Sequence, residues 1–285
     1  MFKSESLSGY NYSGEALNAI RSALSFFLKL DFPDLGSHVA ISRLFSSFYK
    51  LRPSYPRYVV TWDVGKVLNF LAKWHPPSSL SLKQLTLKTV TLIALTSSDR
   101  AQTIHAMRVD RVSATPKGLD FVIYDILKTT RRGSPAKIVK CVSWDAQELD
   151  VSLYVQKYLD RTLIKRWRVY KKGSNKPTQL FISYLSGLPV TKSTISRWIK
   201  ETMKLAGIDT AIFLPGSTRG SSISAAARRG ASIPNILKAG SWSNLGTYQR
   251  FYQREIDDTP TGPLILEASV SWESVFKNLK ISNFL

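Results

Sequence analysis

Apolar residues recur at helical spacing over residues 15–29 (EALNAIRSALSFFLK) and 37–50 (SHVAISRLFSSFYK), where Ser37 stands as an N-cap. The stretch 51–58, LRPSYPRY, holds two prolines and reads as a loop. A helix is expected over 62–74, opening at TWD and ending before His75-Pro76-Pro77. Residues 79–97, SLSLKQLTLKTVTLIALTS, read as a long buried helix. From about residue 108 the period shortens to alternation, broken at Thr115–Gly118 and Arg132–Pro135, which predicts a three-stranded antiparallel sheet. Helical spacing returns at 148–165, followed by a basic loop at 166–179 and an extended piece at 180–190. Thr191 and Ser193 open a helix to about Ala206, and three short helices fall near 217–229, 232–239 and 244–253. The predicted fold is mainly α with a small antiparallel β-sheet. A small helical domain occupies 1–75, a larger domain 76–258, and a tail 259–285.

The charge narrows the partner. Lys and Arg number 40 against 20 Asp and Glu, a formal net charge of +20, which favours a polyanion and above all nucleic acid. No apolar run reaches the roughly 18 residues of a membrane span. The N-terminus MFKSESLSGYNYSG lacks a signal peptide's apolar stretch, so no membrane partner is expected. Cys141 is the single cysteine, and His38, His75 and His105 are scattered, so no metal site and no cofactor is expected. A metal-dependent nuclease would need clustered carboxylates, and none is visible. The compartment reads as reducing, nucleus or cytoplasm, and the nucleus suits a DNA partner.

Four patterns occur in one order: TSSDRAQTIHAM at 96–107, ILKTTRRG at 126–133, LPGSTRGSSISAAARRG at 214–230 and ILKAGSWSNLGTYQRFYQRE at 236–255. With RSALS and RYVVTWD upstream, they resemble the tyrosine recombinase (phage integrase) family, and most closely the recombinases of DIRS-type retrotransposons. The resemblance implies a tyrosine recombinase catalytic domain preceded by a shortened helical core-binding domain. It matches Arg100 and Arg219 to the two active-site arginines, Lys128 to the hairpin lysine and Tyr252 to the nucleophile. Trp242 stands where many members carry histidine and some tryptophan. The implied activity is strand cleavage and rejoining for recombination or integration of a mobile element. The implied partners are double-stranded DNA and further copies of the chain in a synaptic multimer.

Chemistry assigns the same roles. A tyrosyl oxygen that displaces a 5′-hydroxyl exchanges one phosphodiester for another, so resealing needs no nucleotide. Two guanidiniums can hold the non-bridging oxygens bidentately as charge gathers on them. A hairpin lysine can protonate the leaving oxygen, and an indole can donate to the phosphate. Taken singly, each residue has a bland reading: a surface lysine, a solvated arginine, a packed aromatic.

Two departures stand against the family pattern. Gly216 occupies the position of the histidine in His-x-x-Arg, and Tyr252 follows Trp242 by ten residues instead of the usual nine. Tyr248 is therefore the competing tyrosine. Two rival functions remain open: a topoisomerase IB-like activity, and a DNA-binding relic whose chemistry has decayed at Gly216. Phosphate contacts are expected from Arg52 and Arg57 in the interdomain loop and from Lys171, Lys172 and Lys176 in the basic loop.

Overall fold

In the computed structural model the described residues are 14–51, 57–128, 130, 132–171, 178–242 and 244–254. They fall into two units, divided between Arg57 and Tyr58.

The first unit is a helical pair, α1 (Gly14–Phe27) and α2 (Val39–Leu51). The Arg21 guanidinium donates to the Gly36 carbonyl and lies 5.2 Å from the Phe45 ring centroid, tying the connection to α2. The Ser37 hydroxyl donates to Asp34 O rather than capping α2. No residue of α2 is buried, as two helices alone cannot enclose a core.

The second unit is organised around α4 (Leu82–Ser97). A capping box of Ser81 and Gln84 starts it, and every residue from Leu85 to Leu95 is buried. Its buried threonines turn back on the helix itself, except Thr91, whose hydroxyl finds no acceptor among the described residues. The hydroxyls of Thr86 and Thr89 donate to Leu82 O and Leu85 O, both at 2.7 Å. Against α4 pack α3 (Val64–Ala72), α6 (Val151–Lys171), α7 (Lys192–Leu205) and α8 (Ser217–Arg228). Helix α3 starts at Asp63, whose carboxylate accepts from Gly65 N, and buries Val64, Val67 and Leu71 in this core. That burial places α3 in the second unit, so the division lies upstream of the expected Pro76–Pro77 junction.

The sheet is β1 (Val112–Thr115), β2 (Gly118–Ile123) and β3 (Lys137–Val142), antiparallel in that order. Leu119, Phe121, Ile123, Val139 and Cys141 face the core. Gly118 has φ +130° in the tight β1–β2 turn, and a Cβ there would come within 2.2 Å of Cys141 O.

One element is longer than its sequence pattern predicts. Residues 166–171 continue α6 and are not loop. The buried Arg166 donates to Gln179 O at 2.6 Å and to Leu180 O, and Val169 is buried as well, so tertiary contacts extend the helix. The chain closes through α5 (Ala101–His105), α9 (Ile233–Gly240) and α10 (Leu245–Phe251). Ile223, Ile236 and Tyr248 form a second small core beneath α8, α9 and α10.

Candidate active site

The site begins where α4 ends. Ser98 adopts a left-handed conformation (φ 54°), an unfavourable state for a non-glycine residue, and so turns the chain sharply. The turn delivers Asp99 into the interior and puts half-buried Arg100 at the start of α5. Arg219 rises from the first turn of α8 and is 3% exposed. Its guanidinium donates to Ser98 O at 3.4 Å and to Gly240 O, joining the α4 and α9 corners.

Aromatic rings close over Arg219. The guanidinium carbon lies 4.8 Å from the Trp242 ring centroid and 5.6 Å from that of Tyr252. The two rings are themselves 4.3 Å apart. Gly240 is required here: a Cβ would meet Trp242 ring carbons at 2.0 Å. Tyr252 follows the last turn of α10, where Ser224 Oγ donates to its carbonyl at 2.5 Å. The Tyr252 ring lies beside Gly220 of α8, where an added Cβ would make an ordinary contact of 3.6 Å with a ring carbon.

Electrostatics sets this corner apart. Burial, and then repulsion from Arg100, pulls Arg219 well below the usual guanidinium range, while Tyr252 and Asp99 act in the opposite direction. Among the described residues no carboxylate forms an ion pair with Arg100 or Arg219. The buried Nε of Arg219 has no acceptor. Asp99 instead pairs with Lys137 of β3, at 3.1 Å, and the same ammonium donates to Ser241 Oγ at 3.1 Å.

The structure therefore brings together four of the five residues assigned from sequence: Arg100, Arg219, Trp242 and Tyr252. Lys128 stands apart. It lies exposed in the Leu127–Thr130 turn beyond β2 and makes no contact with that cluster among the described residues. Lys137, nine residues on, is the hairpin lysine that reaches the cluster's edge. Sequence reading missed it because a lysine opening an alternating strand looks like any solvated strand end. Tyr248 is 2% exposed, packed with Ile223 and Ile236, and burial raises its pKa. Gly216 precedes α8 in open space, with nothing within 4 Å of an added Cβ.

The expected phosphate contacts divide. Arg57 is exposed in the first unit. Lys171 is exposed on the last turn of α6, not in a loop, with its ammonium 4.3 Å from the Trp167 ring centroid. Arg52, Lys172 and Lys176 lie outside the described residues. No group of three or more His, Cys, Asp or Glu side chains is placed to hold a metal, and no helix is long and apolar enough to cross a membrane, among the described residues.

Solved structures with this chain's arrangement share a theme. XerA recombinase superposes with a TM-score of 0.50 at 15% identity, over 90% of this chain and 82% of its own. XerH site-specific recombinase, bound to its difH substrate in a pre-cleavage complex, gives 0.51 at 15%, over 94% and 72%. The Tn1549 transposon integrase in complex with transposon right-end DNA gives 0.52 at 13%, over 92% and 81%. The fold is that of the tyrosine recombinases. At these identities the likeness is one of fold, so the chemistry rests on the residues themselves. No protein-family model matches the chain, and no curated protein matches it either.

Within this tyrosine recombinase fold, the corner offers two guanidiniums without carboxylate partners among the described residues, one with a spare buried donor, beside a phenol. That set can bind a tetrahedral or pentacoordinate phosphate and present a nucleophile to it.

Proposed function

We propose that this chain cleaves and rejoins double-stranded DNA through a 3′-phosphotyrosyl intermediate at Tyr252. The observation that carries the reading is the pairing of Arg100 and Arg219, neighbouring cations without carboxylate partners among the described residues, with the buried Nε of Arg219 lacking an acceptor. Two like charges held together in a partly buried corner are costly unless an anion joins them. A scissile phosphate is such an anion, and it gains charge as the tyrosyl oxygen adds.

In this mechanism the Tyr252 hydroxyl releases its proton to solvent as its oxygen attacks phosphorus, and the bond to the 5′-oxygen breaks. Arg100 and Arg219 hold the non-bridging oxygens. Trp242 fixes the Arg219 plane by stacking and offers its indole N–H to the phosphate. Lys128, exposed on the hairpin turn, folds over the bound DNA and protonates the leaving 5′-oxygen. Attack of a 5′-hydroxyl reverses each step and releases Tyr252. Arg57 and Lys171, with Arg52, Lys172 and Lys176, carry the duplex by phosphate contact. The first unit serves as a reduced core-binding domain, copies of the chain assemble on paired sites, and the substrate is nuclear DNA of a DIRS-type mobile element.

The test is a nicked suicide duplex that loses a short strand after cleavage. An adduct resolved on a denaturing gel, with phosphotyrosine mapped to Tyr252, is the expected result. An adduct on Tyr248, or none with any duplex, refutes the assignment. Duplex affinity should fall steeply with salt in proportion to the phosphates neutralised.

A further inference from the structure

Asp99 poses a problem for the corner just described. Its side chain is 5% exposed, and it directly precedes Arg100 in the chain. Its negative charge is felt at Arg219. A buried carboxylate beside two unpaired guanidiniums should form a bidentate pair with one of them. Such a pair would occupy the donors that a phosphate needs. In the structure it pairs instead with Lys137 at 3.1 Å, and Lys137 is held from its other side by Ser241 Oγ at 3.1 Å. Ser241 is fixed in turn by a left-handed backbone (φ 48°) between Gly240, whose carbonyl accepts from Arg219, and Trp242. Lys137 thus bridges the segment carrying Arg100 and the segment carrying Trp242 and the Arg219 acceptor.

We propose that Lys137 is a positioning residue that sequesters Asp99 from Arg100 and Arg219, keeping both guanidiniums open for the phosphate. The inference rests on the cleavage reading above. The physical requirement is a cation that satisfies Asp99 without itself leaving the protein. Its side chain is 25% exposed, so the ion pair is largely shielded from water. The position at the start of β3, on the edge of the hairpin, lets the sheet deliver it across the end of α4.

In Lys137→Met the released Asp99 turns to the arginines, and the rate of adduct formation on the suicide duplex falls about 10²-fold. Adding Asp99→Asn removes the competitor, so the double variant regains at least about ten-fold over Lys137→Met. Lys137→Arg, which can still bridge Asp99 and Ser241, stays within several-fold of the parent. A purely structural role would make the double variant as poor as, or worse than, the worse single one. A role for Lys137 in direct contact with DNA would leave the second substitution without benefit. Either result overturns the proposal.

A readout independent of cleavage accompanies this. The side-chain Nε–H NMR signals of Arg100 and Arg219 should shift in Lys137→Met and return toward parental positions in the double variant. They should not move in Lys128→Met. If the parent protein forms no adduct, the cleavage reading fails while these signals still decide the sequestration. Arginine signals that are unmoved by Lys137→Met refute it outright. Thermal unfolding of each variant identifies any that fail to fold. Lys137→Arg then carries the comparison: parental arginine signals in it support the bridge, and displaced signals refute it.

Discussion

Among the described residues of the second unit, three cations are buried to nearly the same depth, and they are treated differently. Lys88, on α4, is fully buried, donates to Leu71 O at 2.7 Å and Trp74 O at 2.6 Å, and sits 3.9 Å from the Tyr154 ring centroid. Arg166, on α6, serves Gln179 O, Leu180 O and the Thr162 hydroxyl. Both spend their donors on backbone carbonyls inside the core, Lys88 sharing its two with Trp74 N and the Tyr154 hydroxyl, which is structural work. Arg219 also meets two carbonyls, yet it keeps an orphaned buried Nε and has a second arginine as neighbour. Depth of burial therefore does not separate function from architecture in this protein. What sets Arg219 apart is an unsatisfied buried donor beside a second arginine.

The comparison breaks most sharply at the nucleophile. Tyr252→Phe should abolish adduct formation while leaving duplex affinity within about two-fold, because the hydroxyl reacts but adds little contact area. Gel analysis and a binding titration together check it. A residual adduct in this variant would move the chemistry elsewhere.

Next in size is Arg219→Lys, expected to lower the cleavage rate by about 10²–10³-fold through loss of the two-pronged donor. The matching control is Lys88→Met, which should leave the cleavage rate of the folded protein unchanged. Equal effects of the two on catalysis would erase the distinction drawn between satisfied and unsatisfied cations.

Gly216→His adds an imidazole three residues before Arg219, in space that is open. A rise of up to about 10²-fold in single-turnover cleavage is expected if the corner lacks only that imidazole. No change would show that the neighbouring groups already supply its role.

Lys88 also gives a pH signature. Burial pushes its pKa down to about 7 from an ordinary 10.5, with Glu148 acting the other way. Between those values the unfolded chain binds more protons than the folded one, so stability rises with pH. From pH 7 to 9 the parent should gain on the order of 1–2 kcal/mol in denaturant unfolding, and Lys88→Met should lack that gain. Above pH 9 the trend reverses, since Cys141, Tyr154 and Tyr158 are pushed up to about 12 and hold their protons only in the folded state.

The smallest effect belongs to Tyr248→Phe. Its ring packs in the small second core, so the substitution keeps the packing and should cost under about 1 kcal/mol without loss of adduct.

Much of this was legible in the chain itself. Period 3.6 and period 2 located the helices and the sheet because each element has one face or two to bury, and Thr191 marked a helix start by its capping chemistry, whereas Ser37 did not cap α2. Ordered motifs pointed to Arg100, Arg219, Trp242 and Tyr252, since each sits at a corner whose local sequence is itself distinctive. Tertiary structure decided the rest. The end of α6 depended on carbonyls of residues 179 and 180, and the placement of α3 depended on a core drawn from the whole second unit. Tyr248 and Tyr252 carry the same phenol one helical turn apart, and only packing against Ile223 and Ile236 consigns Tyr248 to the interior. Lys137 and Asp99 lie 38 positions apart, and an ion pair between them is invisible until the sheet folds across the end of α4. Periodicity and motif record what each segment must bury; which charges are satisfied depends on distances that only the folded chain sets.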